Sequence, residues 1–253
     1  MPKFTSFICV ILSSLLTLCA CANLKPAESD IPVSIIEEND STTDTYLDDI
    51  TFLGESTTYH LKSRGVLSGG KNTTQVWAPK SGTLMLDASI CECRIIYPET
   101  KEELSLGEAL KLKKPKYMLL TFGLNGATAF ISKGEGYFKY CYQKLIDLIF
   151  EYSPDTKIII NSCFPVAKNM DMSRYTVDAK TLNAYIDTIN GWARALASEN
   201  GLLYTDSASC LKDEEGYLKP SLQAEDGYHL NESAYLEILS YLNENRYEKQ
   251  GDR

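Results

Sequence analysis

The stretch Ile50-Thr51-Phe52-Leu53-Gly54-Glu55-Ser56 joins a short, mostly apolar run to a polar turn. Comparable runs recur at residues 117–122, 157–162 and 202–205. Continuous rather than alternating apolar runs are typical of strands in a parallel sheet that is covered on both faces. The chain therefore predicts four buried parallel strands, the first of which ends at Gly54. We expect two further strands at residues 83–86 and 94–97, where the pattern is less regular.

Amphipathic helices are predicted between and after these strands. Apolar residues recur at three-to-four spacing in residues 138–149 and 182–196, and a last helix runs from about Glu232 to the region of Tyr241. Alternating strands and helices form βαβ units with right-handed crossovers. The pattern predicts a three-layer α/β/α sandwich with a mostly parallel sheet. Such sheets bind ligands at the carboxyl ends of their strands.

Residues 1–20 predict a signal peptide. Lys3 precedes an apolar run at residues 7–18, which is shorter than the roughly 20 residues of a membrane-spanning helix. Leu18-Cys19-Ala20-Cys21 resembles a bacterial lipobox, whose last cysteine is lipidated. We therefore expect an exported protein that Cys21 anchors to the outer face of the bacterial cytoplasmic membrane. Ordinary signal cleavage near Ala20 or Ala22 is the alternative.

Residues 21–47 differ in composition from the remainder of the chain. They are rich in Pro, Ser, Thr, Asp and Glu and have few aromatic residues. Such a segment cannot bury enough apolar area to offset its chain entropy, so it predicts a flexible tether. Residues 48–247 suit one α/β domain with a single core.

Charge and cysteine content argue against several functions. The net charge is -9 and no basic stripe stands out, so we do not expect nucleic acid as a partner. Cys91-Glu92-Cys93 lacks the second Cys or His pair of a tetrahedral metal site, and we expect no metal. The domain holds an odd number of cysteines, whose pairing the sequence leaves open: Cys91, Cys93, Cys141, Cys163 and Cys210.

Three polar clusters lie where this architecture would place a site. Gly54-Glu55-Ser56-Thr57-Thr58 follows the first strand, so Ser56 would lie near a helix N-terminus, which favours negative charge. Gly123-Leu124-Asn125-Gly126 follows the second long run, and an Asn side chain there can donate to an oxyanion. Asp226-Gly227-Tyr228-His229 precedes the last helix. An Asp three residues before a His can orient a base that activates a serine.

Each cluster also has an ordinary structural interpretation. Ser56 is suited to cap the following helix, and Asn with Gly is a common turn sequence. The base has a rival as well, because His60 follows Ser56 by four residues and can share a helix face with it. His229 is favoured because it brings its own carboxylate, and His60 is expected at the rim of a pocket or in solvent.

In this order, the three clusters resemble blocks I, III and V of the SGNH/GDSL hydrolase family. That family has Gly-Asp-Ser after its first strand, Gly-x-Asn-Asp after a later one, and Asp-x-x-His near its end. The resemblance spans roughly residue 48 to the last helix and implies the flavodoxin-like fold of the family and no cofactor. By position, it implies Ser56 as nucleophile and oxyanion donor and Asn125 as a second donor. It also implies His229 as base and Asp226 as its orienting partner.

The sequence departs from the family pattern at two positions. Glu55 replaces the Asp before the nucleophile and Gly126 replaces the Asp after the Asn, so local hydrogen bonding must differ. The block II glycine, a third oxyanion donor, is not clearly marked; Gly82 is the first choice and Gly70 the second. The elbow of α/β-hydrolases is Gly-x-Ser-x-Gly and does not fit, because Thr58 occupies its second glycine position.

The resemblance implies a serine esterase acting on an ester-bearing small molecule or an acylated carbohydrate. Export favours acetyl groups on cell-wall or environmental polysaccharide. Trp77 is a candidate sugar-binding aromatic, with a position in the core as the alternative. Lipid esters, acyl transfer to a sugar, and a non-catalytic carbohydrate-binding surface protein are the other possibilities. Glu55 and Gly126 are the main support for the non-catalytic interpretation.

Overall fold

The computed structural model describes residues 45–173 and 175–247. The signal peptide, the lipidation site at Cys21 and most of the tether predicted above lie outside these residues. Within them, no helix combines the length and apolar character needed to cross a membrane. Tyr46 is only 7% exposed and packs edge-on against Tyr117, so the folded part already includes the last residues assigned to the tether.

The described residues form seven strands. They are β1 (Ile50–Gly54), β2 (Val76–Trp77), β3 (Arg94–Ile96), β4 (Glu103–Ser105), β5 (Tyr117–Thr121), β6 (Lys157–Asn161) and β7 (Leu203–Thr205). Five strands make one parallel sheet in the order β2-β1-β5-β6-β7, and β3 and β4 form a separate antiparallel pair. The register pairs Gly54 with Thr121 and Thr121 with Asn161, so β1, β5 and β6 end at one edge of the sheet.

Helices cover both faces of this sheet. In the described residues they are α1 (Ser56–Arg64), α2 (Leu106–Lys113), α3 (Ala127–Lys133), α4 (Glu135–Tyr152), α5 (Ala179–Glu199) and α6 (Glu232–Glu244). Met118 and Leu120 pack in a core with α2 to α5, whereas Leu119 packs in a second core with α1 and α6. Successive strand residues point to opposite faces, so one strand serves both cores. The predicted three-layer α/β/α sandwich with a mostly parallel sheet is confirmed.

Side-chain caps begin three helices but not the first. Ser105, Asp178 and Asn231 accept hydrogen bonds from the first turns of α2, α5 and α6, which satisfies N–H groups that have no intrahelical acceptor. The residue before α1 is Glu55, whose side chain makes no capping bond. Its carboxylate is therefore available to other partners.

The four long apolar runs are confirmed as strands of the main sheet, and two further expectations are corrected. Residues 94–97 do contain a strand, but it lies in the separate antiparallel pair. Residues 83–86 form no strand; Leu84 and Leu86 are buried in the core, so their apolar character reflects packing rather than a sheet position. Strand β2 was not predicted from the sequence, because a strand of two residues is too short to show a periodic pattern.

Candidate active site

Two distant turns meet at the carboxyl edge of the sheet. Ser56 begins α1 directly after β1, and its Oγ lies 3.0 Å from Nε2 of His229. On the other side of the ring, Nδ1 of His229 lies 2.6 Å from Oδ2 of Asp226. A hydroxyl, an imidazole and a carboxylate thus follow one another within hydrogen-bond distance.

Asp226 holds His229 through its backbone as well as its ring. Oδ1 of Asp226 accepts the N–H of Tyr228 at 3.0 Å and the N–H of His229 at 2.8 Å. Burial on its own would raise the pKa of Asp226, but these hydrogen bonds and the one from the imidazole outweigh it and lower the pKa below its usual range. The carboxylate is therefore ionised at neutral pH and can orient the ring.

Ser56 is not the cap of α1. The N-cap position belongs to Glu55, and the Ser56 hydroxyl is directed to His229. The N–H groups of a first helical turn have no intrahelical acceptor, and the helix dipole favours negative charge near them. Ser56 therefore combines a hydroxyl beside a base with a backbone N–H that suits an anion.

Glu55 joins the turn after β1 to the turn after β5. Its side chain is buried in a residue only 2% exposed. Oε1 accepts the N–H of Gly123 at 2.9 Å, and Oε2 accepts the N–H of Asn125 at 3.1 Å. Burial raises the pKa of Glu55 to about 7, and the backbone hydrogen bonds offset only part of that effect. The different local hydrogen bonding expected from the sequence is this pair of contacts.

Close packing accounts for the second departure from the family pattern. A Cβ at Gly126 would lie 2.6 Å from Cε2 of Phe130, a buried residue of α3. An Asp at this position would displace the Phe130 ring from the core. The packing of α3 thus explains why a glycine stands at this position.

Asn125 lies beside the same cleft as Ser56 and His229. Its Nδ2 donates to Oγ1 of Thr83 at 3.0 Å, and its Oδ1 accepts the hydroxyl of Tyr228 at 2.5 Å. A side-chain amide nitrogen carries two hydrogens, so one is left to donate to an oxyanion.

The structure does not support Gly82 as a third oxyanion donor. Its N–H donates to the carbonyl of Pro79 at 2.9 Å, and the N–H of Gly70, the second choice, donates to the carbonyl of Leu67 at 2.8 Å. Both N–H groups close local turns. Thr83, the residue after Gly82, lines the cleft instead.

The positions of His60 and Trp77 bear on two alternatives that the sequence left open: which histidine is the base, and whether Trp77 contacts a sugar or lies in the core. The ring of His60 packs 4.5 Å from that of His229, which takes the hydrogen bond of Ser56. Burial, with a smaller contribution from the positive charge of Arg64, lowers the pKa of His60 to about 4, so this ring is neutral at pH 7. Trp77 is fully buried against Tyr97 and is a core residue rather than a sugar contact.

A cleft of about 600 Å³ opens over these groups. Its lining residues are Ser56, Thr83, Asn125, Met170, Asp171, Tyr175, Asp226, Tyr228 and His229. Met170, Asp171 and Tyr175 belong to the irregular segment between β6 and α5, which the sequence motifs do not include. The length of that segment was the available signal, because long loops in compact domains usually carry function. The rings of Tyr175 and Tyr228 stack 6.5 Å apart at 26° and form an aromatic wall.

The cysteines of the domain are all free thiols. These are Cys91, Cys93, Cys141, Cys163 and Cys210. Within residues 45–173 and 175–247, no three His, Cys, Asp or Glu side chains cluster as metal ligands would.

A serine, a histidine and an aspartate in line at the carboxyl edge of a parallel sheet define the class of serine hydrolases. The sequence profile of the GDSL-like lipase/acylhydrolase family matches residues 52–236. The chain therefore belongs to this family, and it is an SGNH/GDSL-type serine hydrolase acting on esters. No curated protein sequence matches the chain significantly.

Two solved structures share the fold at low sequence identity, and a third is similar with a TM-score below 0.5. The periplasmic domain of a lipopolysaccharide acetyltransferase from Salmonella ser. Paratyphi A is 14% identical with a TM-score of 0.52, over 79% of this chain and 85% of that one. A candidate platelet activating factor from Streptococcus pneumonia is 17% identical with a TM-score of 0.50, over 78% and 83%. A GDSL-like lipase from Bacteroides thetaiotaomicron is 16% identical with a TM-score of 0.48, over 78% and 86%.

Proposed function

We propose that Ser56 is the nucleophile of this esterase, His229 its base and Asp226 the partner that orients the base. The observation that carries the proposal is the pair of contacts on either side of the imidazole, 3.0 Å to Ser56 and 2.6 Å to Asp226. With its proton on Nδ1 facing Asp226, the ring accepts the Ser56 proton at Nε2. The hydroxyl oxygen then attacks the ester carbonyl.

The oxyanion that forms is held by the backbone N–H of Ser56 and by Nδ2 of Asn125. His229 passes its proton to the leaving alcohol, and a water molecule activated by the same ring then hydrolyses the acyl-enzyme. Preorganised donors of this kind each contribute about 10²- to 10³-fold in rate.

A fluorophosphonate probe tests the nucleophile, because it reacts with an activated serine. We expect labelling of the wild type and none of Ser56→Ala. Ser63→Ala is the matched control: Ser63 is on the same helix, and its hydroxyl contacts the carbonyl of His60 at 3.4 Å. This control should be labelled like the wild type. Equal labelling of Ser56→Ala would refute the assignment, and an unreactive wild type would favour the non-catalytic binding protein.

We further propose acetyl esters of carbohydrate as the substrate. The open cleft supports this proposal, since the wall formed by Tyr175 and Tyr228 suits the flat face of a sugar, and Thr83 and Asp171 offer polar groups beside it. Comparison of kcat/KM for an acetylated oligosaccharide, p-nitrophenyl decanoate and a lysophospholipid tests the class. Faster turnover of the long acyl chains would instead favour lipid esters. Product analysis with an added sugar acceptor separates hydrolysis from acyl transfer.

The proposed place of action is the outer face of the bacterial cytoplasmic membrane. Support comes from the sequence of residues 1–21, with its apolar run and the cysteine at position 21. Cys21→Ala should release the protein from the membrane fraction and abolish labelling with a fatty-acid probe. Cys19→Ala, two residues away, should leave both unchanged. Retention of label in Cys21→Ala would contradict lipidation at this residue.

A further inference from the structure

We propose that Tyr228 is a positioning residue of the oxyanion hole: its hydroxyl fixes the side-chain amide of Asn125 so that Nδ2, rather than Oδ1, faces the reacting carbonyl. The inference rests on the proposed function of Ser56 and Asn125. Tyr228 stands between Asp226 and His229, at a position that the Asp-x-x-His motif leaves open.

Asn125 is held at three points. Its Oδ1 accepts the Tyr228 hydroxyl at 2.5 Å, its Nδ2 donates to Oγ1 of Thr83 at 3.0 Å, and its backbone N–H donates to Glu55 at 3.1 Å. The Thr83 hydroxyl is directed to the carbonyl of Leu84 at 3.4 Å, which leaves Thr83 an acceptor towards Asn125. The amide oxygen therefore lies on the Tyr228 side and the amide nitrogen on the Thr83 side.

Tyr228 is itself fixed in place. Its ring stacks on Tyr175 and lies edge-on to the His229 ring, with centroids 5.0 Å apart. Its backbone N–H donates to Asp226 at 3.0 Å. Burial, with a contribution from the negative charge of Glu55, raises the pKa of the Tyr228 hydroxyl well above its usual range. The phenol therefore stays protonated and acts as a donor.

The orientation of the amide matters because its two ends have opposite charge. A rotated Asn125 would present an oxygen to the developing oxyanion and repel it. The hydrogen bond accepted by Oδ1 also polarises the amide, which makes Nδ2 a stronger donor. The Tyr228 hydroxyl, which is bonded to Oδ1 of Asn125, in this way acts on the transition state through its neighbour.

A double-mutant cycle with p-nitrophenyl acetate tests the coupling. Since one oxyanion donor contributes about 10²- to 10³-fold, we expect Tyr228→Phe to lower kcat by about 10-fold. KM should change less than about two-fold, since the contact acts on the transition state. In an Asn125→Ala background the same change should alter kcat by less than about two-fold, because the partner is gone. An equal loss in both backgrounds would overturn the inference, because the Tyr228 hydroxyl would then act independently of Asn125.

The control is Tyr142→Phe, which also removes a tyrosine hydroxyl, here a buried one bonded to the carbonyl of Leu120 at 3.2 Å. It should leave kcat unchanged. Thermal unfolding of all variants separates a loss of fold from a loss of orientation. If Tyr142→Phe lowered kcat as much as Tyr228→Phe at equal stability, the specific role of Tyr228 would be refuted.

A spectroscopic measurement distinguishes this inference from the proposed function. In the full chain carrying Ser56→Ala, which needs no activity, the side-chain amide signals of Asn125 are identified by their loss in Asn125→Ala. We expect Tyr228→Phe to shift these signals and Tyr142→Phe to leave them in place. Unshifted signals would overturn the positioning role even in an active esterase. If the signals shifted but the wild type had no esterase activity, the positioning of Asn125 by Tyr228 would be supported and the proposed esterase mechanism would be refuted.

Discussion

Glu55 and Asp226 are carboxylates at the same edge of one sheet, and their surroundings differ in almost every respect. Glu55 is 2% exposed and accepts two backbone N–H groups from the turn after β5. The Asp226 side chain is 51% exposed and accepts the imidazole of His229 in addition to backbone N–H groups. Burial raises the pKa of Glu55 to about 7, whereas hydrogen bonds lower that of Asp226 despite partial burial.

The difference shows that the partner, rather than the residue type, decides what a carboxylate does here. Asp226 stays ionised because its hydrogen bonds outweigh its partial burial, which suits the role proposed for it, the stabilisation of an imidazolium during turnover. For Glu55, desolvation disfavours the charged form, and its carboxyl group holds backbone N–H groups that water would otherwise compete for. In the proposed mechanism, Asp226 serves the proton transfer, and Glu55 fixes the turn after β5 that carries Asn125.

The largest effect is expected when Asp226 loses its charge. Asp226→Asn should lower kcat by about 10⁴-fold, because the imidazole no longer has an acceptor that fixes its proton on Nδ1. The exposed position predicts little change in the thermal unfolding midpoint. Steady-state kinetics with p-nitrophenyl acetate measures the loss, and a decrease below about 10-fold would argue against Asp226 as the orienting group.

A smaller effect is expected at the buried carboxylate. Glu55→Gln offers one acceptor oxygen to the two N–H groups of Gly123 and Asn125, so the turn after β5 loses one of its two contacts with residue 55. Since a whole oxyanion donor contributes about 10²- to 10³-fold, we expect kcat to decrease by about 10- to 100-fold with KM nearly constant. An unchanged kcat would mean that other contacts alone position Asn125.

The two carboxylates should also give opposite pH dependences of stability. The native pKa of Glu55, about 7, exceeds its ordinary value of 4.5, so the native state binds more protons between these values. The free energy of unfolding should then fall by about 3 kcal/mol from pH 4.5 to pH 7 through this group. Asp226 acts in the other direction: because its native pKa is lowered, its contribution is present above about pH 4 and is lost as the pH falls further.

Urea unfolding of the wild type and of Glu55→Gln at pH 5 and pH 8 measures the contribution of Glu55. For each protein the change in the free energy of unfolding between the two pH values is determined, and the two changes are compared. The stability lost between pH 5 and pH 8 should be larger in the wild type. Equal pH dependence in the two proteins would mean that Glu55 titrates near its ordinary pKa.

The smallest effect is expected at His60. His60→Phe keeps a ring against His229 and removes a buried Nδ1 that has no hydrogen-bond partner among the described residues. We expect kcat to change by less than about three-fold and the unfolding midpoint to stay the same or rise, because an unsatisfied buried polar atom is destabilising. A loss comparable to that of Asp226→Asn would make His60 the base.

Local patterns of apolar residues in the sequence predicted much of the fold. The strands that begin at Ile50, Tyr117 and Lys157 could be predicted as apolar runs. Both faces of the sheet are buried, so most of the residues in these strands have apolar side chains. The helices around residues 138–149 and 182–196 show their period because each faces the sheet with one side. Strand β2 and the loop at residues 83–86 do not follow any period, since their place depends on contacts with distant segments.

The turn from Asp226 to His229 could be predicted as a unit because the hydrogen bonds that Asp226 accepts all lie within four residues. What the linear chain could not specify is which turns meet across the sheet. Ser56 and His229 are 173 positions apart, and the contacts of Glu55 and Tyr228 with Asn125 span 70 and 103 positions. These long-range contacts follow from the strand register and from the packing of the helices, which together place the turns at the same edge of the sheet. The tertiary structure alone therefore showed that Glu55 binds the turn after β5, that the N–H of Gly82 closes a local turn instead of facing the cleft, and that Trp77 lies in the core.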